Sequence, residues 1–199
     1  MSTIHLIRHG EKKLEPGNPG LTDLGVQQAI QTGNFLNNFS VSQLIASPLK
    51  RTKQTAQYIA KQLKLDYTTN DLLIERMIWD DPSVSRTKFL KEWIEATKHR
   101  NYVPKWGDSS YQTGKRVTEV IDNLKLAAED HAVVVTHGGA IIDYLRNILG
   151  DKAVQTLVCE YELGQDYQML HCSINTVEID ENNQIIRLNY SKHLSAKTE

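Results

Sequence analysis

Three short, mostly apolar runs, each ending in polar or reactive residues, limit most strongly what this chain can fold into. Such runs, bounded by turn-forming residues, are typical of strands that are buried in a sheet. The runs and the residues that follow them are 3–7 with Arg8-His9-Gly10, 43–46 with Ser47-Pro48, and 131–136 with His137-Gly138-Gly139.

Segments with apolar residues at helical spacing separate these runs. Thr22 is placed to cap the first segment, and Ser47-Pro48 is typical of the start of the second, since proline is favoured at the first helical position. The predicted helices cover about residues 23–38, 48–64, 84–99, 113–129 and 140–149, and a hairpin covers 173–190. This alternation predicts a single α/β domain over residues 1–199, a three-layer sandwich in which helices flank a mostly parallel central sheet.

Composition restricts the partners and the compartment. The chain has 23 Lys and Arg against 24 Asp and Glu, which argues against coating nucleic acid or an anionic membrane with its whole surface. Cys159 and Cys172 lack the spacing of a zinc site and are too few for a disulfide framework, so we expect reduced thiols. No apolar run is long enough to span a bilayer and no signal peptide is visible, so we expect a cytoplasmic protein.

The residues after the three runs supply the groups that phosphoryl transfer requires. In mostly parallel sheets, ligands bind at the carboxyl ends of the strands. Arg8, and Arg51 one turn into its helix, offer forked N–H donors that match phosphate oxygens. The backbone of Gly138-Gly139 is bare at a helix N-terminus, which favours an anion. Of the two histidines, one can act as nucleophile and the other can help to hold the transferring oxygens, without a metal or cofactor.

Four ordered segments then resemble one known family. The RHGE of residues 8–11, the LTxxGxxQA of 21–29, the SPLxRxxQTA of 47–56 and the VxHGG of 135–139 are similar to signatures of the histidine phosphatase superfamily, in its phosphoglycerate-mutase-like branch. The resemblance implies that family's fold and a reaction through a phosphohistidine intermediate.

The resemblance also implies roles by position. His9 is expected to be the nucleophile, and Arg8, Arg51 and His137 to bind the transferring phosphoryl group, with the backbone of Gly138 beside them. The family draws its proton donor from a glutamate in an L-x-E-R context, which Glu75 matches here. A donor at this position requires a raised pKa.

Other assignments of the carboxylates and histidines remain open. Glu11 and Asp81 are reserve candidates for the proton donor, and Glu75 could instead form a structural ion pair with Arg76 or Arg86. His5 lies four residues before His9, but we interpret it as a satisfied core or edge histidine rather than a metal ligand, because no metal motif surrounds it. His171 receives no role.

The chain departs from phosphoglycerate mutases at two places. Lys12-Lys13-Leu14-Glu15 stands where mutases carry a small hydroxyl residue and a Trp-Asn pair, and residues 77–81 replace a G-x-W-E-G segment. We therefore predict a metal-independent phosphomonoester hydrolase that acts on a small phosphorylated substrate. The alternatives are a phosphoglycerate-mutase-type phosphotransferase and a non-catalytic phosphate-binding module.

Residues 82–116 are predicted to form a helical insertion that caps the site. From Arg86 to Arg116 the chain carries eight Lys or Arg against three acidic residues. Arg86, Lys88 and Lys91 are the candidates to contact a second negative charge on the substrate. A solvated basic helix face is the alternative. The sequence does not indicate the oligomeric state.

Overall fold

A six-stranded sheet forms the centre of the molecule. The computed structural model describes residues 2–160, 169–179 and 184–194. The strands are β1 Ser2–Arg8, β2 Val41–Ala46, β3 Thr68–Thr69, β4 His131–Thr136, β5 Ile174–Ile179 and β6 Gln184–Tyr190. Their order is β3-β2-β4-β1-β5-β6, with β3 to β1 parallel and β5 and β6 antiparallel. The α/β class and the mostly parallel sheet are confirmed.

Helices cover both faces of this sheet. They are α1 Asp23–Leu36, α2 Lys50–Leu63, α3 Arg86–Lys98, α4 Ser110–Asp122, α5 Gly138–Leu149 and α6 Asp151–Glu160, with a 3-10 turn at Asp71–Leu73. No helix in these described ranges is long and apolar enough to cross a membrane.

Alternating residues of the central strands build two separate cores. Ile4 and Leu6 of β1 pack with apolar residues of α4 and α5, whereas Ile7 packs on the opposite face with residues of α1 and α2. This division follows from the two-residue period of a strand, which points successive side chains to opposite faces. The predicted three-layer arrangement is therefore present.

Two helix boundaries differ from those predicted. The second helix begins at Lys50 rather than at Pro48, and Ser47 is not its N-cap. The fourth begins at Ser110, because Ser109 and Gln112 form a capping box, and ends at Asp122 rather than at residue 129. After it, Leu124 and Leu126 pack against the core from an irregular segment.

Three further points concern the Thr22 cap, the helix α6 and the C-terminal hairpin. The Thr22 cap is confirmed by a hydrogen bond of 3.1 Å from the Gly25 N–H to its hydroxyl. The helix α6 was not predicted. Strands β5 and β6 pair as a hairpin does, but the predicted turn over 181–183 lies outside the described residues.

The loop that follows β1 packs tightly onto the start of α1. The Thr22 N–H donates to the Glu11 carbonyl at 3.0 Å, and the Gly10 N–H donates to the Thr55 hydroxyl at 3.0 Å. A Cβ on Gly25 would overlap the Glu11 carbonyl oxygen. Glycine at position 25 therefore allows the close approach that fixes the backbone next to His9.

Replacing Gly25 with alanine should lower the free energy of unfolding by about 1–3 kcal/mol, because backbone must move to admit the added methyl group. Urea titration of wild type and variant measures this difference. Gln27→Ala, at an exposed position of the same helix, is the control and should change stability little. Equal stability of Gly25→Ala and wild type would show that the loop can yield without cost.

His5 is a buried part of the sheet core, as interpreted from the sequence. Its side chain is 1% exposed, and its ring nitrogens contact the Thr176 hydroxyl at 3.1 Å and His131 Nδ1 at 2.9 Å. Burial, followed by the charges of His131 and Arg187, lowers the pKa of His5 to about 3. The neutral ring is therefore the form that the fold accepts.

Acid should consequently destabilise the fold through His5. The pKa of an unfolded histidine is about 6.5, so between pH 6.5 and about 3 the unfolded chain binds a proton at His5 that the folded chain excludes. Stability falls in this window by up to about 1.4 kcal/mol per pH unit for this one group. Measured from pH 7 to 4.5, the difference in unfolding free energy between wild type and His5→Gln should shrink as the pH falls, by up to that amount per pH unit.

Other buried histidines add to the acid sensitivity in both proteins, so the difference between the two proteins isolates His5. His99→Gln removes a histidine that is exposed on the surface and is the matched control. Parallel curves for wild type and His5→Gln would show that His5 is protonated without cost to the fold.

Candidate active site

The three predicted strand endings meet at one edge of the sheet. β2, β4 and β1 are parallel neighbours, so Ser47, His137 and His9 follow strands that end side by side. The rings of His9 and His137 contact each other edge to face, with centroids 5.3 Å apart. The groups that the sequence predicted to act together are therefore adjacent.

The tautomer of His9 is fixed by its own loop. Its Nδ1 lies 2.8 Å from the Gly10 carbonyl oxygen, which can only accept a hydrogen bond, so Nδ1 carries the hydrogen. Burial, followed by the charges of Arg51, His137 and Arg8, holds the pKa of His9 well below its usual value. The ring is therefore neutral, and the lone pair of Nε2 is available for nucleophilic attack.

Two arginines place positive charge beside this nitrogen. Arg51, in the first turn of α2, is 5% exposed, and its Nε finds no hydrogen-bond partner among the described residues. Burial lowers the pKa of Arg51 to about 10, an effect that Glu75 opposes and Arg8 reinforces. Arg8 is half-buried and donates from its guanidinium to the Met169 carbonyl. Buried arginine N–H groups of this kind are suited to bind an anion.

His137 is a fully buried, neutral partner. Its Nε2 lies 2.9 Å from the Ser47 hydroxyl, while its Nδ1 has no partner in the described part of the chain. Burial, followed by the charges of Arg51, Arg116 and Arg8, lowers its pKa well below the usual value. Ser47 thus contacts the second histidine instead of capping a helix, a role that local sequence rules could not indicate.

The carboxylate of Glu75 occupies the N-terminus of α5. Its Oε1 accepts hydrogen bonds from the backbone N–H groups of Arg76 at 2.8 Å and Ala140 at 3.1 Å, and its Oε2 accepts one from Gly139 at 3.4 Å. The expectation that Gly139 leaves a bare amide for a ligand is wrong, because a protein carboxylate takes it. Gly138 leaves room next to Arg8, whose Cδ would lie 3.6 Å from a Cβ there.

Of the three candidate proton donors, Glu75 lies closest to the positive charges. Its carboxylate raises the pKa of both Arg8 and Arg51, against the effect of their burial. The Glu11 carboxylate instead accepts a hydrogen bond of 2.8 Å from the Thr22 hydroxyl. Asp81 accepts hydrogen bonds from the backbone and hydroxyl of Ser83, and these lower its pKa.

The alternative of an ion pair between Glu75 and Arg76 is not formed. The Arg76 guanidinium lies 3.3 Å from the Asp143 carboxylate, donates to the Thr97 hydroxyl at 2.7 Å, and stacks 4.3 Å from the Trp93 ring centroid. These contacts connect α3 and α5 behind Glu75.

Arg116 holds the backbone that carries Glu75. Its guanidinium donates to the carbonyls of Leu72, Ile74 and Glu75, at 2.6, 2.5 and 3.3 Å, and its Nε lies 2.9 Å from Asp108. From the sequence, Arg116 is identified only as one of the basic residues of 86–116. In the structure it holds the loop that carries Glu75, the candidate proton donor, and this is visible only when α4 is packed beside that loop.

His171, to which the sequence analysis assigned no role, lies against His9, the candidate nucleophile. Its ring centroid is 5.8 Å from that of His9. The next residue, Cys172, donates its backbone N–H to the carbonyls of Arg8 at 3.0 Å and His9 at 3.3 Å. Cys172 has a left-handed backbone, with φ of 52°, which is unusual for a residue with a Cβ and often occurs at functional sites.

The predicted cap residues lie on the exposed surface of α3. Arg86, Lys88 and Lys91 are all exposed, and the charge of Arg86 acts on Lys12. The inner face of α3 carries an aromatic cluster in which Phe89 lies 6.2–6.4 Å from Trp79, Trp93 and Trp106. The three tryptophans therefore pack within this cluster.

Within residues 2–160, 169–179 and 184–194, no group of three or more His, Cys, Asp and Glu side chains is arranged to hold a metal ion. The positive charge of the site comes from arginine side chains. The arrangement can hold the oxygens of an anion such as phosphate next to Nε2 of the neutral His9 ring.

Comparison with known proteins agrees with this geometry. A family model of the histidine phosphatase superfamily (branch 1) matches residues 4–191. Relatives include the probable phosphoglycerate mutase GpmB of Erwinia tasmaniensis, 28% identical over 193 residues that span 89% of this chain and 85% of that protein. The protein of the same name from Yersinia pestis is 26% identical over 196 residues, spanning 91% and 86%.

Solved structures share the fold at lower identity. A mutant phosphoserine phosphatase of Entamoeba histolytica, in complex with phosphoserine, is 20% identical with a TM-score of 0.72 and covers 98% of this chain and 100% of its own. A mycobacterial glucosyl-3-phosphoglycerate phosphatase is 18% identical with a TM-score of 0.74 and covers 97% and 99%. The family match runs from β1 to the end of β6 and contains all four signature segments, so this chain belongs to branch 1 of the histidine phosphatase superfamily.

Proposed function

We propose that this chain is a phosphomonoester hydrolase that works through a phosphohistidine at His9. The observation that carries the proposal is the neutral His9 ring, whose hydrogen is held on Nδ1 by the Gly10 carbonyl, next to the buried guanidinium of Arg51. A nucleophilic nitrogen and an anion-binding cation are thus fixed together before any substrate arrives.

In the first step, Nε2 of His9 attacks the phosphorus atom as the bond to the leaving oxygen breaks. Arg8, Arg51 and His137 hold the transferring oxygens, with the backbone at Gly138 beside them. Glu75 donates a proton to the leaving oxygen, so that an alcohol departs instead of an alkoxide. The Arg116 contacts and three backbone N–H groups hold Glu75 in place for this transfer.

In the second step, water attacks the phosphorus of the phosphohistidine. The N–P bond breaks, Glu75 takes the proton from water, and inorganic phosphate is released with His9 neutral again. Arg8 and Arg51 provide the positive charge that a metal ion would otherwise supply, so the mechanism uses no metal and no cofactor.

A second candidate function is that of a phosphotransferase of the mutase type, which the names of the GpmB relatives favour. It would use the same first step and then return the phosphoryl group to a hydroxyl of an acceptor. The third candidate, a phosphate-binding module without catalysis, would form no phosphohistidine at all.

Replacing His9 with alanine should lower kcat/KM by about 10⁴-fold or more, since the variant lacks the nucleophile. Incubation with a ³²P-labelled phosphomonoester and an acid quench should trap an acid-labile phosphoenzyme in the wild type only. His99→Ala at the surface is the matched control, and thermal melting checks that both variants are folded.

The fate of the label separates the three candidate functions. Release as inorganic phosphate supports the hydrolase, recovery on a second hydroxyl would instead support the phosphotransferase, and tight binding with no labelled protein would support the binding module. Turnover by His9→Ala at the wild-type rate would overturn all phosphohistidine mechanisms.

Replacing Glu75 with glutamine should slow hydrolysis of alkyl phosphates by about 10²–10⁴-fold, because an alkoxide leaves only with a proton. Hydrolysis of p-nitrophenyl phosphate should fall far less, since nitrophenolate leaves unprotonated. Steady-state kinetics on both substrates measures the contrast, with Glu11→Gln and Asp81→Asn as controls. Equal losses on both substrates would move the donor role to whichever control shows the contrast.

A further inference from the structure

A lysine and a histidine that the mechanism does not use lie beside the proposed phosphate site. Lys12 comes three residues after His9, and its backbone is fixed by an antiparallel bridge to Leu21 and by the hydrogen bond from the Lys13 N–H to the Gly20 carbonyl at 3.0 Å. The Lys12 side chain is half-buried, whereas that of Lys13 is exposed. Lys12 is therefore the less exposed of the two lysines.

The surroundings of Lys12 are mostly positive. Burial, followed by the charges of Arg51, Arg8 and Arg86, lowers its pKa, and Glu15 alone among its charged neighbours raises it. Its Nζ reaches only the Lys13 carbonyl, at 3.4 Å, in the hydrogen bonding of the described residues. An ammonium group placed among three guanidinium groups destabilises the empty pocket, and a bound anion removes that cost.

His171 is fixed next to the same charges. The Cys172 hydrogen bonds to Arg8 and His9 hold its backbone, and its ring contacts His9. Burial, followed by the charges of Arg8 and Lys12, lowers the pKa of His171 to about 3. A neutral imidazole at this place can donate one hydrogen bond to an anion without adding to the positive charge.

The charges do not balance with a phosphate alone. A phosphomonoester brings two negative charges, and Glu75 is uncharged when it carries the proton it has to donate. The site then holds three positive charges, on Arg8, Arg51 and Lys12, so one of them has no counter-charge. The charges of Arg86 and Glu15 offset each other. One further negative charge on the substrate would complete the site.

We propose, on the basis of the proposed function, that Lys12 and His171 form a second anion-binding subsite beside His9. The substrates of this chain would accordingly be phosphomonoesters that carry a second anionic group, a carboxylate or a further phosphate, within reach of these two side chains. This assigns substrate selection to the loop after β1 and to the segment before β5, in addition to the predicted cap residues of α3.

The test compares 3-phosphoglycerate with glycerol 3-phosphate, which has a hydroxymethyl group in place of the carboxylate. Propane-1,3-diol bisphosphate against its monophosphate is the second pair and distinguishes a phosphate from a carboxylate as the second anion. For one of these pairs, wild-type kcat/KM should be at least about tenfold higher on the substrate with two anionic groups. Lys12→Met and His171→Phe should each lower that ratio, by about 10- to 100-fold for Lys12→Met, mainly through KM. Lys13→Met removes the same charge one residue away and should keep the wild-type ratio.

A binding measurement separates failure of the subsite from failure of the hydrolase. Calorimetry with His9→Ala protein, alone and combined with Lys12→Met, reports the preference for the same compounds without turnover. One outcome is that wild type hydrolyses no compound of either pair while His9→Ala protein still binds the compound with two anionic groups more tightly. If Lys12→Met removes that preference, the hydrolase proposal is wrong and the subsite proposal stands. If no pair shows a preference, or if Lys12→Met and Lys13→Met have equal ratios, the second subsite is wrong whether or not the chain is a hydrolase.

Discussion

The pocket depends on one negative charge, the Glu75 carboxylate, held among buried cations. Arg8 and Arg51 both lose hydration in the pocket, and Glu75 opposes the resulting fall in the pKa of each. The carboxylate stays in place because three backbone N–H groups bind it and Arg116 binds the carbonyls behind it. In the proposed mechanism, the phosphate of the substrate becomes a second counter-charge for the two arginines.

Three buried histidines make different contacts although burial lowers the pKa of each. The Nδ1–H group of His9 donates a hydrogen bond to the Gly10 carbonyl of its own loop, which leaves Nε2 available. His137 has its Nε2 on the Ser47 hydroxyl and lies fully buried behind the reacting ring. His5, four residues before His9, is buried within the sheet, where its ring nitrogens contact His131 and Thr176. Residues four apart on a strand share a face, so it is their position along β1 that separates the two histidines: His5 lies within the strand near the start of β4, and His9 follows the strand's carboxyl end.

Much of the site could be predicted from the sequence, because parallel strands bring their carboxyl ends together whatever the loops between them contain. Arg8, His9, Arg51 and His137 are found together for that reason. His171 could not be found in this way, since the apolar pattern around it shows only a hairpin, and its contact with His9 joins residues more than 160 positions apart. The basic character of residues 86–116 was visible, but not that Arg116 and Arg100 bind carbonyl and side-chain oxygens within the protein.

The return of the chain from β4 to β5 has a consequence for how the site is assembled during synthesis. His9, the candidate nucleophile, is made among the first ten residues, whereas the N–H group that the carbonyls of Arg8 and His9 accept from belongs to Cys172. A nascent chain that has emerged as far as β4 can pair β1, β2 and β4 and bring His9 to His137, yet the wall formed by residues 169–173 is still missing. Until residues 169–173 have been made, this side of His9 therefore lacks the hydrogen bonds and the ring contact that they supply. A chain truncated before residue 169 would still carry His9 and the strands that place it beside His137, but not His171, whose ring contacts His9 from this side.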